Sequence, residues 1–142
     1  MTAPTPNSTA SKRQHAVTVT GVPDQWAKCT GGVPSVDVSE NWNGGATVAD
    51  LTMGRVKYSN ATTSRPFNQV RDRPVERFLR SVLGTGWSTT IIDQDLDANG
   101  VAVGEPRVLT GCVPVTITPP EYDTTSSDGG EFSVEWKVQS VQ

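Results

Sequence analysis

Residues 51–67 read LTMGRVKYSNATTSRPF, and no other stretch says more about the fold of this chain. Met53 and Gly54 are typical of a turn, and residues 55–67 then form one long candidate strand that is polar at most positions. Such a strand adds little to the core of a monomer, but it suits the lining of a wet channel or pairing with another chain. The stretch contains no group of side chains suited to catalysis.

The composition is typical of a single domain rich in β-structure. The 142 residues include 13 glycines and 10 prolines, with 35% hydrophobic and 19% charged residues. Such a mixture, with many turn-forming residues, is common in β-proteins. The net charge of −3 provides no basic field that would attract nucleic acid.

Residues 1–14 are rich in proline, serine and threonine and have no apolar face. We predict a flexible arm there, or an arm that docks on a neighbouring subunit, followed by one domain over residues 15–142. The N-terminus lacks the apolar run of a secretory signal, and no stretch approaches the roughly 20 apolar residues of a membrane span. The sequence therefore predicts synthesis in a cytosol and no membrane contact.

Alternation of apolar and polar residues predicts about six to seven strands. One strand covers residues 34–40, with Val36 and Val38 on the same face. The first and last strands, at residues 15–20 and 132–139, have one apolar face each, formed by Val17, Val19, Phe132, Val134, Trp136 and Val138. The loop at residues 41–50 contains Trp42, which is either an exposed contact anchor or a side chain that folds back onto the sheet.

One amphipathic helix is predicted over residues 72–84. Its apolar stripe has helical spacing and consists of Val75, Phe78, Leu79, Val82 and Leu83. Asp72 suits the N-cap, Pro74 the first turn and Gly84 the C′ position. The charged residues of the helix are expected to point to solvent or to a partner, and they are Arg73, Glu76, Arg77 and Arg80.

The chain offers little chemistry for catalysis or metal binding. A catalytic triad would have to use His15, the only histidine, and a zinc site would have only that histidine and two cysteines. Asp95, Asp97 and Asn99 match the start of an EF-hand calcium loop, but Pro106 stands where the bidentate glutamate belongs. The pattern favours a plain hairpin tip over a calcium site. We predict no enzymatic activity and no cofactor.

Cys29 and Cys112 each lie beside a glycine-containing corner of the chain. They are candidates for a disulfide within one subunit, for a cross-link between subunits, or for two reduced and packed thiols. Synthesis in a cytosol favours the reduced pair, because that compartment keeps thiols reduced.

Several short motifs follow one another in a distinctive order. An early Val-Thr strand leads to Lys28-Cys29-Thr30-Gly31-Gly32, a glycine-rich loop, Leu51-Thr52-Met53-Gly54 and Lys57-Tyr58-Ser59-Asn60. A helix, a hairpin with an acidic tip and an alternating strand follow. In this order the chain resembles the tail tube proteins of contractile-tailed phages and contractile injection systems. Two departures are Met53, where the family often has proline, and Arg65-Pro66-Phe67, where a basic residue and glycine are common.

The resemblance implies a mainly β fold, a sandwich or small barrel beside one α-helix. Six subunits would form a ring with a continuous inner β-barrel, and the rings would stack into a hollow tube. Contacts between rings would come from the arm and from residues 41–54, with Trp42, Asn43, Leu51, Met53 and Arg55 as candidates. The lumen candidates are Asp37, Glu40 and Lys57.

The same resemblance implies the partners and the location of the protein. DNA and a tape measure protein would pass through the lumen without specific binding. A sheath protein, a baseplate or hub and a tail terminator would contact the tube. The protein would be made in the cytoplasm of a bacterial host and would end up in the virion tail.

Two other functions fit the sequence pattern. A non-contractile tail tube or a secretion-system ring protein would share the same elements. A monomeric β-sandwich that binds carbohydrate or mediates adhesion would instead use Trp26, Trp42 or Trp87 as stacking platforms.

Overall fold

The computed structural model describes residues 15–45, 47–120 and 130–142, so the arm predicted at residues 1–14 lies outside it. The fold is mainly β with one helix. In chain order the elements are β1 (His15–Val19), β2 (Gln25–Trp26), β3 (Lys28–Thr30), β4 (Pro34–Asn41), β5 (Asp50–Tyr58), β6 (Ala61–Pro66), α1 (Gln69–Val82), β7 (Thr89–Asp95), β8 (Arg107–Thr118), β9 (Glu131–Lys137) and β10 (Ser140–Val141).

The strands other than β4 and β5 form one antiparallel path in the order β2-β1-β7-β8-β9-β6-β3, with β10 paired to β8. The long strand β8 turns the corner between two sheets. Its first half pairs with β7, its second half pairs with β9, and Gly111 between them has a φ of +64°. Because Ala27 alone separates β2 from β3, the two ends of the path meet and the sheet closes as a small barrel.

The barrel interior is built by the alternating strands that the sequence pattern predicts. Val17 and Val19 of β1 are buried, as are the apolar residues of β9. Aromatic rings fill much of the space: Trp26 stacks on Phe132 with ring centroids 5.5 Å apart, and Trp87 lies 6.4 Å from Trp136. The predictions for the first and last strands are therefore confirmed.

Helix α1 covers one side of the barrel with Val75 and Leu79, which are both buried. It begins three residues earlier than predicted, at Gln69, because Asn68 is the N-cap and accepts hydrogen bonds from the N–H groups of Val70 and Arg71. Gly84 follows the C-cap with a φ of +78°, as predicted.

Two of the charged residues near the helix are placed differently from the prediction. Glu76 is buried under the side chains of Arg73 and Arg80, whereas a position facing solvent or a partner was expected. Asp72 is not the N-cap. Its carboxylate is buried, accepts a hydrogen bond from the N–H of Asn68 and pairs with Arg65 of β6. Both acids lie inside because basic partners compensate their charge.

The prediction of one long polar strand over residues 55–67 is wrong. The chain bends at Ser59 and Asn60, so that β5 and β6 belong to different sheets. Met53 and Gly54 lie within β5, where the prediction had a turn. Strand β6 is polar but buried: the Arg65 guanidinium lies 4.3 Å from the ring centre of Trp26 and donates to the carbonyl of Pro23 at 2.7 Å.

Among the described residues, no helix combines the length and the apolar character that a membrane crossing requires.

Candidate assembly surface

Strands β4 and β5 form a two-stranded hairpin separate from the barrel sheet. Its neck joins two motifs that are distant in the sequence: the N–H of Gly32 donates to the carbonyl of Ser59, and the N–H of Ser59 donates to the carbonyl of Val33. Gly31 is required there, because it has a φ of +95° and a Cβ would lie 2.0 Å from the carbonyl oxygen of Asn60. The neck therefore holds the hairpin at a defined place on the barrel.

Beyond the neck, the hairpin is exposed on both faces along nearly its whole length. It approaches the rest of the described fold chiefly where β5 comes near β10. A two-stranded hairpin is at best marginally stable in water without a surface to pack on. Its length and its exposure within the described residues leave both faces available for contacts.

One face of the hairpin is apolar. The antiparallel register places Val36 opposite Val56, Val38 opposite Met53 and Glu40 opposite Leu51. The five apolar members of this face are each exposed by more than two fifths of their surface: Val36, Val38, Leu51, Met53 and Val56. We term these five side chains the apolar face. A contiguous patch of this kind on a small protein marks an interaction surface.

The opposite face is polar. It contains Ser35 opposite Lys57, Ser39 opposite Thr52, and Asp37, whose carboxylate accepts a hydrogen bond from the Lys57 ammonium group at 3.1 Å. We term these side chains the polar face. Both members of the ion pair are largely exposed, so the pair contributes little to stability. It does make the middle of this face electrically neutral.

A bulge in β5 explains why the two faces are difficult to find from the sequence. Three residues of β5 span the same distance as two residues of β4 between the pairs Val36–Val56 and Val38–Met53. Gly54 lies at this bulge, where a Cβ would come within 3.1 Å of the carbonyl oxygen of Asp37. The bulge shifts the alternation, so Val56 joins Met53 and Leu51 on one face although its spacing from Met53 is odd.

The tip of the hairpin presents two large apolar side chains to solvent. Trp42 is 62% exposed and Val48 is 76% exposed. The alternative in which Trp42 folds back onto the sheet is therefore wrong. At the end of the strands, the amide of Asn43 donates to the carboxylate of Asp50 at 3.0 Å.

The structure brings most of the predicted assembly residues onto this one hairpin. Leu51 and Met53 lie on the apolar face, Trp42 and Asn43 at the tip, and Arg55 beside the bulge. Of the three lumen candidates, Asp37 and Lys57 share the polar face. Glu40 lies on the other face, opposite Leu51. Val56 and Val48 were not predicted as contact residues; the pairing of Val56 with Val36 and the exposure of Val48 reveal them.

The acidic hairpin tip between β7 and β8 is organised by its own backbone. One carboxylate oxygen of Asp97 accepts hydrogen bonds from the N–H groups of Asn99 and Val101, at 2.8 and 2.9 Å. Asp95 lies 3.3 Å from the imidazole of His15. No group of three or more histidine, cysteine or acidic side chains within the described ranges is arranged to hold a metal ion.

His15, Asp93 and Cys29 line one cleft, which has the residue types of a cysteine triad. The His15 Nδ1 lies 3.1 Å from the Asp93 carboxylate. Burial raises the pKa of the Cys29 thiol, although the charge of Arg107 opposes this. A nucleophilic cysteine needs a lowered pKa, so the cleft is unsuited to covalent catalysis.

Both cysteines are free thiols, Cys112 fully buried and Cys29 partly so. Burial raises the pKa of Cys112 to about 11 from its ordinary value of 9.0, and a backbone hydrogen bond at Ile91 opposes this rise.

This raised pKa predicts a loss of stability in alkali. Between pH 9 and about 11, the unfolded chain releases the Cys112 proton while the native chain keeps it. The free energy of unfolding should therefore fall with rising pH, by about 1 kcal/mol per pH unit. Denaturant unfolding of the wild type and Cys112→Ala at several pH values measures this, and the variant should show the shallower slope. Equal slopes would contradict the assignment.

The tryptophans proposed as carbohydrate platforms are mostly unavailable. Trp26 is buried in the barrel, so its proposed role as a platform is wrong. Trp87 is partly buried and lies between the rings of Phe78 and Trp136. Of the three, Trp42 alone presents a free surface, and a single exposed indole beside an apolar face fits a protein contact better than a sugar site.

No family model matches the sequence, and a comparison with curated proteins gives no match either. Solved structures do share the fold. A chain of the PVC sheath–tube complex, an extracellular contractile injection system in its extended state, matches with a TM-score of 0.82 and 16% identity. The match covers 96% of this chain and 92% of that one.

Two further solved structures are similar over nearly their whole length. A chain of the tube-terminating cap of the anti-feeding prophage has a TM-score of 0.82 and 14% identity, covering 99% of this chain and 94% of its own. A chain of the PVC sheath/tube terminator has a TM-score of 0.81 and 16% identity, covering 97% and 98%. At this level of identity the shared property is the fold: a small β-structure with one helix.

Proposed function

We propose that this chain is a structural subunit of the tube of a contractile tail or injection system, with residues 15–142 as its tube domain. It self-assembles into six-membered rings that stack into a hollow tube, and it has no enzymatic activity. The single observation that carries the proposal is the amphipathic β4–β5 hairpin. It stands on a fold shared with injection-system components, and its apolar face is left exposed by the part of the subunit that the structure describes.

The hairpin explains how a ring closes. Within the described residues, β4 and β5 pair only with each other, so each keeps one unpaired edge. Unpaired edges favour pairing with further strands, and closure into a barrel removes all such edges. In the proposed ring, hairpins from six copies pair edge to edge into one inner barrel.

The two faces of the hairpin then acquire different roles. The apolar face is buried against the outer parts of neighbouring subunits, and the polar face lines the lumen. Asp37 and Lys57 neutralise each other there, so phosphate groups of passing DNA meet neither strong attraction nor strong repulsion. DNA and a tape measure protein pass through without specific binding.

The tip of the hairpin supplies contacts between rings. Trp42 and Asn43, which follow the end of β4, reach the next ring, with Leu51, Met53 and Arg55 as further contacts along β5. Large aromatic side chains are frequent anchors of protein interfaces. The arm at residues 1–14 is proposed as a second contact between rings.

The remaining partners are inferred from the position of the tube within a contractile tail. A sheath protein surrounds it, a baseplate or hub starts it and a tail terminator ends it. Solved neighbours come from a sheath–tube complex, a tube cap and a sheath/tube terminator, which supports this setting. The subunit is made in the cytoplasm of a bacterial host and becomes part of the assembled tail.

Negative-stain electron microscopy of the purified protein at rising concentration tests the proposal. Rings or hollow filaments with sixfold symmetry are the expected result. Particles should also sediment far above the 15.2 kDa of one chain. A protein that stays monomeric, and that also fails to extend tubes from an isolated baseplate, would overturn the tube function.

A further inference from the structure

The apolar stripe of α1 extends beyond the part of the helix that packs on the barrel. Val75 and Leu79 are buried. Phe78, however, is 41% exposed, and Leu83, the C-cap residue, is 37% exposed. The ring of Phe78 packs edge-on against the half-buried Trp87, with ring centroids 5.2 Å apart. We term Phe78, Leu83 and Trp87 the helix-end patch. Large apolar side chains left exposed in one region of a small protein indicate a contact surface.

The other large apolar side chains that are exposed outside β4, β5 and their loop are dispersed. They are single valines in four different segments of the described chain: Val33, Val70, Val101 and Val115. The apolar face of the hairpin needs an apolar counter-surface if it is to be removed from water. Among the described residues, the helix-end patch offers such a surface, because it combines exposed apolar side chains with two aromatic rings.

Each of the two surfaces has one charged neighbour, and the two charges are opposite. Glu40 lies on the same face of the hairpin as Leu51, its cross-strand partner. Arg77 directly precedes Phe78 in α1, and both charged residues are exposed. The ion pairs formed between described residues use neither of them. The two surfaces are therefore complementary in charge as well as in apolar character.

We propose that the helix-end patch of one copy packs on the apolar face of a second copy, at the end formed by Val38 and Leu51. Glu40 of the second copy then pairs with Arg77 of the first. The inference rests on the proposed self-assembly, and it assigns the surface that covers the apolar face. The contact joins two different surfaces of identical chains, so it repeats from copy to copy, as a closed ring requires. Aromatic rings and arginine are also the residue types that most often anchor protein interfaces.

Charge exchange tests the contact. Arg77→Glu and Glu40→Lys should each raise the concentration needed for assembly about tenfold, because like charges then face each other. The chain with both substitutions should assemble at nearly the wild-type concentration, since the pair is restored with its charges exchanged. The matched control is Lys137→Glu, at an exposed lysine of β9, which changes the net charge as Arg77→Glu does and should assemble like the wild type. Sedimentation at fixed salt measures each threshold.

Disulfide trapping tests the proximity of the two surfaces directly. One chain carries Glu40→Cys and a second chain carries Arg77→Cys, both with Cys29→Ala and Cys112→Ala to remove the native thiols. Assembled together and oxidised with copper phenanthroline, the two chains should give a covalent pair at twice the mass of one chain on a non-reducing gel. Either chain alone should give none. Ser39→Cys, on the polar face, replaces Glu40→Cys in the control and should also give none.

The outcomes separate this contact from the tube function. Single charge variants that assemble like the Lys137→Glu control would overturn the contact and would leave the patch to another partner, such as a sheath protein. A weakened Arg77→Glu chain that Glu40→Lys fails to rescue would overturn it as well. In both cases, tubes formed by the wild type leave the tube function standing. A wild type that never assembles overturns both proposals.

Discussion

Val38→Glu combined with Met53→Glu is expected to abolish tube formation while the subunit stays folded. These two residues are opposite each other on the apolar face, and they are 48% and 61% exposed in the subunit. In the proposed tube they are buried against a neighbour, where two adjacent carboxylates would lose their hydration and repel each other. Assembly should be lost over at least a hundredfold range of concentration, as measured by sedimentation and electron microscopy.

The neighbouring cross-strand pair on the polar face provides the control. Ser39→Glu with Thr52→Glu introduces the same two charges one residue further along the hairpin, on the side proposed to line the lumen. This control should still form tubes, because its carboxylates stay in water. Thermal unfolding of both variants should match the wild type, since all four side chains are exposed in the subunit. Tubes from the apolar-face variant would show that this face is not the interface.

Asp72→Ala, in α1, is expected to destabilise the fold strongly. The Asp72 carboxylate is fully buried, and it pairs with Arg65, whose side chain is 1% exposed. Removal of Asp72 leaves the Arg65 guanidinium buried without its carboxylate, and it also removes the hydrogen bond to the N–H of Asn68. Breaking a buried ion pair from one side costs about 3–5 kcal/mol. Denaturant unfolding should show a loss of this size.

Asp24→Asn is the matched control for this prediction, because asparagine tolerates the left-handed backbone of Asp24, whose φ is +63°. Asp24 also pairs with an arginine, Arg71, at 3.4 Å, but its side chain is 63% exposed. Loss of an exposed pair costs less than about 1 kcal/mol. If the two variants lose the same stability, the buried pair does not stabilise the helix on the barrel as inferred.

The Asp72 carboxylate also determines part of the change in folding stability at acid pH. Burial alone would raise the pKa of Asp72, but hydrogen bonds from Arg71 and Asn68 and the charges of Arg65 and Arg71 lower it below the ordinary 3.8. Its stabilising effect is therefore complete above the ordinary pKa and is lost as the pH falls through the lowered native value. In Asp72→Ala, stability should change less with pH in this acid range than in the wild type.

The sequence alone determined the elements that depend on the pattern of residues close together in the chain. Alternation in β1 and β9 identified the barrel residues Val17, Val19, Val134 and Trp136, because one side of a strand must be apolar to be buried. Val75 and Leu79 of the helix stripe were found because a helix that packs on a core also needs an apolar side, whereas Phe78 and Leu83 of that stripe are exposed. The order of short motifs also indicated the fold that solved injection-system components share.

Only the tertiary structure decided which polar side chains in residues 51–67 are buried and which sheet holds them. Arg65 is buried because two other elements surround its guanidinium. Asp72 of α1 supplies a negative charge, and Trp26 of β2 supplies an aromatic surface. The neck at Gly31 and Asn60 divides what reads as one strand into two. The apolar face likewise depends on a bulge and on cross-strand register, and both are set by pairing between segments that local patterns do not connect.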